Sequence, residues 1–527
     1  MEQVGTNILL ILADDLGFSD IGCYGGEIQT PNLDKLAENG LRFTQFYNSA
    51  RCCPSRASLL TGLHPHQTGV GHMTEDFGFE GYRGDLNRHC VTIAEVLKRS
   101  GYRTYMSGKW HLTRFLDYPK HNWPCQRGFD RFYGIITGAT NYFQPTTLTC
   151  DNKPIEASEE DYYITDAISD EMCRFLVEHQ EKYPDSPFFA YLSYTAPHWP
   201  LHAPEEIIQK YEGLYDVGWD EIRERRYKRM ISMGLIKECW ELPKRDPAVP
   251  EWDKVKEKRW QARRMEVYAA QVECMDRGIG RVIQTLKEID QLDDTLVIFL
   301  SDNGACAEEL HPEAIKWLLK YKALRIKARD GRKVIFGNNP EIMPGDEHTY
   351  QSYGLPWANV SNTPFREYKH WVHEGGIATP FIVHWPRGIK AKGEFRHQPV
   401  QLPDIMATIL DVTGTDYPSK FAGYKIQPLE GFSLTPAFEG RSSGRKLLYF
   451  EHEGNRAVRR GKWKLVCKYP GPWELYNMEK DRTELKDLSN NRPEIVKDLS
   501  EKYDEWAKKC KVLPWEKILA HIKTLTD

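Results

Sequence analysis

Four apolar runs in this chain stop on polar side chains, and that shared ending restricts the fold more than any other feature. NILLILADDLG ends in Asp14 and Asp15, GYRTYMSGKWHL in Lys109 and His111, and TLVIFLSDNG in Asp302 and Asn303. FFAYLSYTAPHWPLHAP carries His198 just past its run, with His202 a weaker candidate nearby. Runs rich in Leu, Ile, Val, Phe and Tyr, without polar alternation, suit strands covered on both faces. Helical patterns lie between them: PNLDKLAENG is one, and TIAEVLKRSG, capped by Thr92 and stopped at Gly101, is another. Strand and helix in alternation predict an α/β fold, a mostly parallel sheet sandwiched by helices. Such sheets bind ligands beyond the carboxyl ends of their strands. All four polar clusters fall there.

Two of those endings have the chemistry of a metal site. Asp14, Asp15, Asp302 and Asn303 offer hard oxygen donors, which suit Ca²⁺ or Mg²⁺ rather than zinc. A single Asp after a strand often just caps the next helix; two paired sets point to one shared ion. The richest segment is Arg51 to Gly62, RCCPSRASLLTG. It reads as a turn entering a helix, with Pro54 at the first helical position, where its missing N–H costs nothing. Cys52 then stands at the helix mouth, where free N–H groups and the dipole favour an anion. Arg56 adds a cationic fork. Lys109 and His111, at alternate positions of an extended segment, can point the same way. Lys369 lies in FREYKHWVHEGGIATPFIVHWP, five residues before Glu374, with Gly375 and Gly376 supplying a tight turn. Taken singly, adjacent cysteines are usually inert core residues and a lone Lys or His near a turn is usually solvated. Their joint occurrence at strand ends favours a site.

RCCPSRASLLTG resembles the signature C-x-P-S-R-x-x-x-L-T-G of the type I sulfatases, matching at Cys52, Pro54, Ser55, Arg56, Leu60, Thr61 and Gly62. LADDLG, GKWHL, SDNG and EGGIATPFIVHWP resemble further motifs of that family, in the family's order, over residues from about 6 to 480. GATNYF and SYGLPWANVSNTPFREYK are most similar to bacterial arylsulfatases of the alkaline-phosphatase-like superfamily. The resemblance implies that a maturation enzyme oxidises Cys52 to formylglycine. The hydrated formylglycine would then attack the sulfur of an aryl or carbohydrate sulfate monoester, forming a covalent sulfate ester. It also implies a metal, usually calcium with magnesium as an alternative, held by Asp14, Asp15, Asp302, Asn303 and residue 52. Arg56, Lys109 and Lys369 would neutralise the sulfate oxygens. His198, with Lys369, would protonate the leaving alcohol, and His111 would take the proton that lets sulfate leave. Lys109, His198 and Lys369 would thus bind substrate as well. Related enzymes use the same nucleophile and metal set on phosphonate monoesters and phosphodiesters, so that activity stands as the alternative. A non-catalytic relative that binds sulfated glycans is a third reading, for a chain whose Cys52 is never matured.

At 527 residues the chain exceeds what one core usually serves. Residues 1–440 read as the catalytic domain. Residues 441–527 read as a smaller α+β domain of short antiparallel strands followed by an amphipathic helix from Pro493 to about Lys511. A formal net charge of -4 gives no overall attraction to nucleic acid or an anionic membrane. No run approaches the ~18 apolar residues of a membrane span. Twelve scattered cysteines without a C-x-x-C pair argue against a structural zinc site, a redox motif or a disulfide framework. The amino terminus lacks a basic leader and a small-residue cleavage site. The expectation is a periplasmic or secreted protein whose export signal is absent from this sequence, with a cytoplasmic one as the alternative. Two long insertions, the charged segment Glu205 to Arg264 and the irregular one Glu308 to Asn362, are expected to shape the substrate entrance.

Overall fold

The computed structural model describes residues 5–526. Its centre is a ten-stranded sheet in the spatial order Glu394–Arg396, Leu41–Phe43, Phe381–His384, Thr295–Ser301, Asn7–Ala13, Phe188–Ser193, Arg103–Gly108, Arg131–Ile135, Leu148–Cys150 and Lys153–Pro154. The strands from Thr295–Ser301 to Arg131–Ile135 all run parallel. Antiparallel neighbours flank them on both sides.

Successive side chains of a strand point to opposite faces. Leu9, Ile11 and Ala13 enter one core, while Ile8, Leu10 and Leu12 enter the other. A strand covered twice has no position left for a polar residue, which is why its sequence does not alternate. The first core is roofed by the helices Ile164–Lys182 and Lys258–Glu288, through Met172, Phe175, Val272 and Ile279. The second is covered by Cys52–Thr61, Ile93–Arg99 and Pro403–Thr413, through Leu59, Leu60, Leu97, Ile405 and Ile409. Burying one such Leu or Ile stabilises the fold by roughly 1.5–3 kcal/mol. The Ile93 helix starts where the sequence marks it. The Thr92 hydroxyl accepts from the Glu95 N–H at 3.1 Å, and the Glu95 carboxylate accepts from the Thr92 N–H at 2.7 Å.

Beyond the sheet, four antiparallel strands, Leu447–His452, Asn455–Arg460, Trp463–Cys467 and Trp473–Asn477, form a meander. The helix Pro493–Cys510 lies on it, Leu499, Tyr503 and Trp506 meeting Val458, Leu465 and Leu475. A buried ion cluster ties this layer to the main domain. Glu374 accepts from Lys464 at 2.9 Å and Arg482 at 2.7 Å, and Glu484 pairs with Lys464 at 2.7 Å, all without solvent exposure. Burial alone would raise the Glu374 carboxyl, but Lys464 and Arg482 bring it down to about 2. Gly376, two residues on, is required: a Cβ there would stand 1.9 Å from the Trp371 carbonyl oxygen.

The charged insertion differs from its expectation. Glu205 to Arg264 folds into helices that brace the loop after the first strand, away from the cleft. Arg226, fully buried, pairs with Asp20 and Glu27 at 2.7 Å each. Trp219 packs edge-on against Trp252 and Trp357. Among the described residues no helix is long and apolar enough to cross a membrane, and all twelve cysteines are free.

Candidate active site

The parallel strands end at a cleft of about 270 Å³. Cys52 lies on its wall, 1% exposed, at the first residue of the helix Cys52–Thr61. The helix begins two residues before Pro54, which is therefore its third residue rather than its first. Arg51 is extended at φ -150°, and the Ser55 N–H closes the first turn on the Arg51 carbonyl at 3.0 Å. Proline is tolerated at the third position because that N–H also lacks an intrahelical acceptor. The Cys52 thiol is held well below its usual range, first by a hydrogen bond from Cys53 and, against burial, by His111, Lys369 and Lys109. Burial drives Cys53 in the opposite direction. Of the pair, Cys52 alone reaches the cleft.

Beside it the paired carboxylates converge. Lys109 donates to Asp14 Oδ2. Lys369 Nζ lies 2.9 Å from Asp15, and Arg56 Nη2 lies 2.9 Å from Asp302 Oδ2 and 3.6 Å from Asp14 Oδ2. Asn303 Nδ2 donates to Asp15 Oδ1 at 2.6 Å. Asp14 Oδ1 and Asn303 Oδ1 are buried without any partner. Burial, then the Asp14 charge, pushes Asp302 up to about 8 despite Arg56. Burial also raises Asp14, over the opposition of Lys109 and Arg56. Burial would raise Asp15 too, but Lys369 and His198 take it below the ordinary value. Two of the three buried carboxylates are thus held above their ordinary values despite the neighbouring cations, and two orphan oxygens sit among them. That donor set fits a hard divalent ion.

His111 arrives by a route other than an extended segment. Its backbone turns through φ +53° just after the strand Arg103–Gly108. Its ring nitrogen lies within 4.8 Å of both cysteine sulfurs, and Nδ1 has no partner. Burial lowers it to about 4, so it is a neutral imidazole with a free acceptor. Gly138, from GATNYF, makes room: a Cβ there would stand 2.3 Å from the His111 ring. His198 Nδ1 lies 2.6 Å from the Trp199 carbonyl oxygen, which can only accept, so Nδ1 carries the proton and donates it. Its Nε2 lies 3.5 Å from Asp15. Burial lowers His198, too, to about 4. Lys369 stands on a loop before the short helix Glu374–Ile377, and Asp15 holds it well above its ordinary value against the effect of burial. His202 is outside the cleft. It is buried, with Nε2 2.6 Å from the Thr349 carbonyl and Nδ1 accepting from the Tyr142 N–H, and it fastens a loop.

The rest of the cleft is mostly apolar: Met73, Leu116, Trp199, Trp317, Leu318 and Tyr321 line it, with Arg114 and Glu75 among them. Several of these come from Glu308 to Asn362, so this second insertion does shape the entrance. Glu308 matters here although no local motif marks it. It pairs with Arg51 at 2.7 Å and accepts from Trp199 Nε1 at 3.0 Å, joining the start of the Cys52 helix to the loop of His198. Tyr142 was visible only as part of a motif; its hydroxyl donates to the Thr195 and His198 carbonyls.

Comparison with known proteins agrees with this geometry. The sulfatase family model matches residues 6–415, and the one described as N-sulphoglucosamine sulphohydrolase, C-terminal, matches 366–509. An uncharacterized sulfatase of Schizosaccharomyces pombe is 36% identical over 95% of this chain and 93% of its own. The arylsulfatase of Klebsiella aerogenes is 33% identical over 82% of this chain and 92% of its own. A solved structure, Ps i-CgsB in complex with k-i-k-neocarrahexaose, superposes with a TM-score of 0.67 at 26% identity, covering 95% of this chain and 93% of that one.

Proposed function

This chain belongs to the sulfatase family and is a sulfuric ester hydrolase, and from that premise we propose that it works through a formylglycine made from Cys52. The observation that carries the reading is the placement of Cys52. It stands at a helix mouth in the cleft, with His111, Lys109 and Lys369 around it and the oxygen-donor cluster beside it.

Hydrated formylglycine would supply two hydroxyls on one carbon: one to attack sulfur, and a second whose oxygen, once deprotonated, becomes the aldehyde carbonyl as the C–O bond to sulfate breaks. Asp14, Asp15, Asp302 and Asn303 would hold Ca²⁺, or Mg²⁺, which supplies positive charge for the sulfate oxygens. The chain's own residues do the rest. Lys109 and Lys369 bring fixed ammonium groups to the cleft and stabilise charge where it develops. Arg56 holds Asp302 in place by its two bonds and spans to Lys109 O at 3.0 Å and Ser193 Oγ at 2.7 Å. His111, neutral with an open nitrogen, is the base. On the leaving-group side, Lys369 is the group that carries a proton in the free enzyme, because His198 is kept neutral by burial. An anionic ester arriving beside His198 Nε2 would raise its proton affinity, so both serve the leaving oxygen.

The apolar lining suits an alcohol with a ring face, aryl or sugar, laid against Trp199 or Trp317. The arylsulfatase name of one relative and the carbohydrate bound in one structural neighbour support both classes. The test is a panel of aryl sulfate, sulfated monosaccharides, a phosphodiester and a phosphonate monoester with matched leaving groups. A kcat/KM higher on the sulfate esters by at least about tenfold, or ~1.4 kcal/mol of barrier, is expected. The reverse order would transfer the assignment to phosphonate and diester hydrolysis. Binding of sulfated sugars without turnover, with Cys52 unmodified, would leave only a binding role.

A further inference from the structure

A second cluster of ligand-type side chains lies where the turn between Leu447–His452 and Asn455–Arg460 meets the loop of Lys369. Glu453, at φ +50°, turns the chain so that His452 and its own carboxylate both face His370. Glu453 Oε2 is 3.2 Å from His370 Nδ1, and its Oε1 is 3.6 Å from His452 Nε2 and 2.6 Å from His72 Nε2. Ligand atoms of His370, His452 and Glu453 all lie within 4.8 Å of one another. Two atoms bound tetrahedrally at about 2.05 Å from one zinc stand roughly 3.3 Å apart. The spacing between His370 Nδ1 and Glu453 Oε2, 3.2 Å, is close to that value.

Hydrogen bonding accounts for only part of the cluster: His72 Nε2 meets Glu453 Oε1 at 2.6 Å, and Asn455 Nδ2 lies 3.3 Å from His370 Nε2. His452 is fully buried, and neither of its ring nitrogens has a partner. A histidine sealed in that way leaves a donor and an acceptor unmet unless something else binds there. We propose that His370, His452 and Glu453 form a second divalent-metal site, of nitrogen and oxygen character, for Zn²⁺ or a similar transition ion. His72 fixes the carboxylate through Oε1, and solvent fills the fourth position. Entry is open, since the His370 and Glu453 side chains keep 30% and 26% exposure. Two imidazoles separate this site from the all-oxygen cluster in the cleft, because nitrogen donors favour zinc over calcium. Such an ion would clamp the C-terminal sheet to the loop that presents Lys369.

The test uses the full-length protein, stripped with a chelator and returned to excess Ca²⁺ so that the hard-oxygen site is filled. Titration with Zn²⁺ should then show one equivalent bound per chain, and Co²⁺ in its place should give the visible bands of a tetrahedral ion. His452→Ala and Glu453→Gln should each weaken Zn²⁺ binding by at least about tenfold, with unchanged far-UV circular dichroism. Should His452→Ala fail to fold, Glu453→Gln, a near-isosteric change at a partly exposed turn, decides. Asp302→Asn should keep the zinc equivalent, since it alters only the cleft; its activity and the zinc count therefore report separately on the two readings. No Zn²⁺ bound in excess Ca²⁺, retention by both cluster variants, or loss in Asp302→Asn would each overturn the second site.

Discussion

At the residue scale, the same physics that makes the cleft expensive makes it reactive. Asp302 is fully buried, pushed up to about 8, and within reach of Arg56 and of the Asp14 charge. A bound divalent ion would return it to the ionised form, so chelation should lower the Tm as well as the rate, and Asp302→Ala should remove turnover rather than merely raise KM. Cys52 differs from its neighbour in environment alone. Peptide mapping of active enzyme should find the mass change from thiol to aldehyde on Cys52, with Cys53 still a thiol; a change on Cys53 would refute the assignment. The two histidines should separate kinetically. His111→Ala should give a burst of alcohol stoichiometric with enzyme, followed by slow sulfate release. His198→Ala should slow the first step, and most for leaving groups of high pKa such as sugar alcohols. Equal losses on aryl and sugar sulfates, with no burst, would contradict these roles. Cys52, Arg56, Lys109 and His111 were legible because each stands in a local motif. Glu308 and Trp199 were not, because their value lies in contacts of 257 and 109 residues' separation, which no local spacing records.

Elements carry the site by where they stop. The doubly buried strands announced themselves by continuous apolar runs, and their ends positioned Asp14, Lys109, Ser193 and Asp302 at one edge. The outer strands did not announce themselves. Leu41–Phe43, Glu394–Arg396 and Lys153–Pro154 are three residues or fewer, too short to show a period, and only their neighbours make them strands. The charged insertion, expected at the substrate entrance, lies elsewhere for a similar reason: Arg226 pairs with Glu27 across 199 residues, which is invisible in a linear chain. Loop geometry matters as much as strand ends. His111 sits at φ +53° against a glycine with no room for a Cβ. Gly138→Ala should therefore displace the imidazole and lower kcat by on the order of 10–100-fold, as misplaced catalytic groups do. KM should hardly change. An unaltered kcat would show that the ring can move aside without cost.

For the whole molecule, the decisive contact is the buried cluster of Glu374, Glu484, Lys464 and Arg482 that joins the C-terminal sheet to the Gly375–Gly376 turn. The sequence marked Glu374 only as part of a motif beside a candidate lysine, yet its carboxylate never reaches the cleft. It reinforces a junction that is also apolar, since Leu448, Phe450, Ala457 and Val466 of the C-terminal sheet pack in the main core while the other face of that sheet has a core of its own. Removing one partner of a buried ion pair strands the others, so Glu374→Gln should cost about 3–5 kcal/mol near pH 7. The sign of its pH dependence follows from the depressed value. Glu374 sits at about 2 in the folded chain against 4.5 when free, so its contribution is fully present above pH 4.5 and is lost as the pH falls toward 2. The stability gap between wild type and Glu374→Gln, followed by urea unfolding, should therefore be constant at neutral pH and close progressively below about 4.5. Taking the difference cancels the other acid-sensitive carboxylates, which both proteins share. A gap that stayed the same down to pH 3 would mean the variant suffers from lost packing at the domain junction, and that the charge on Glu374 does not hold the two layers together.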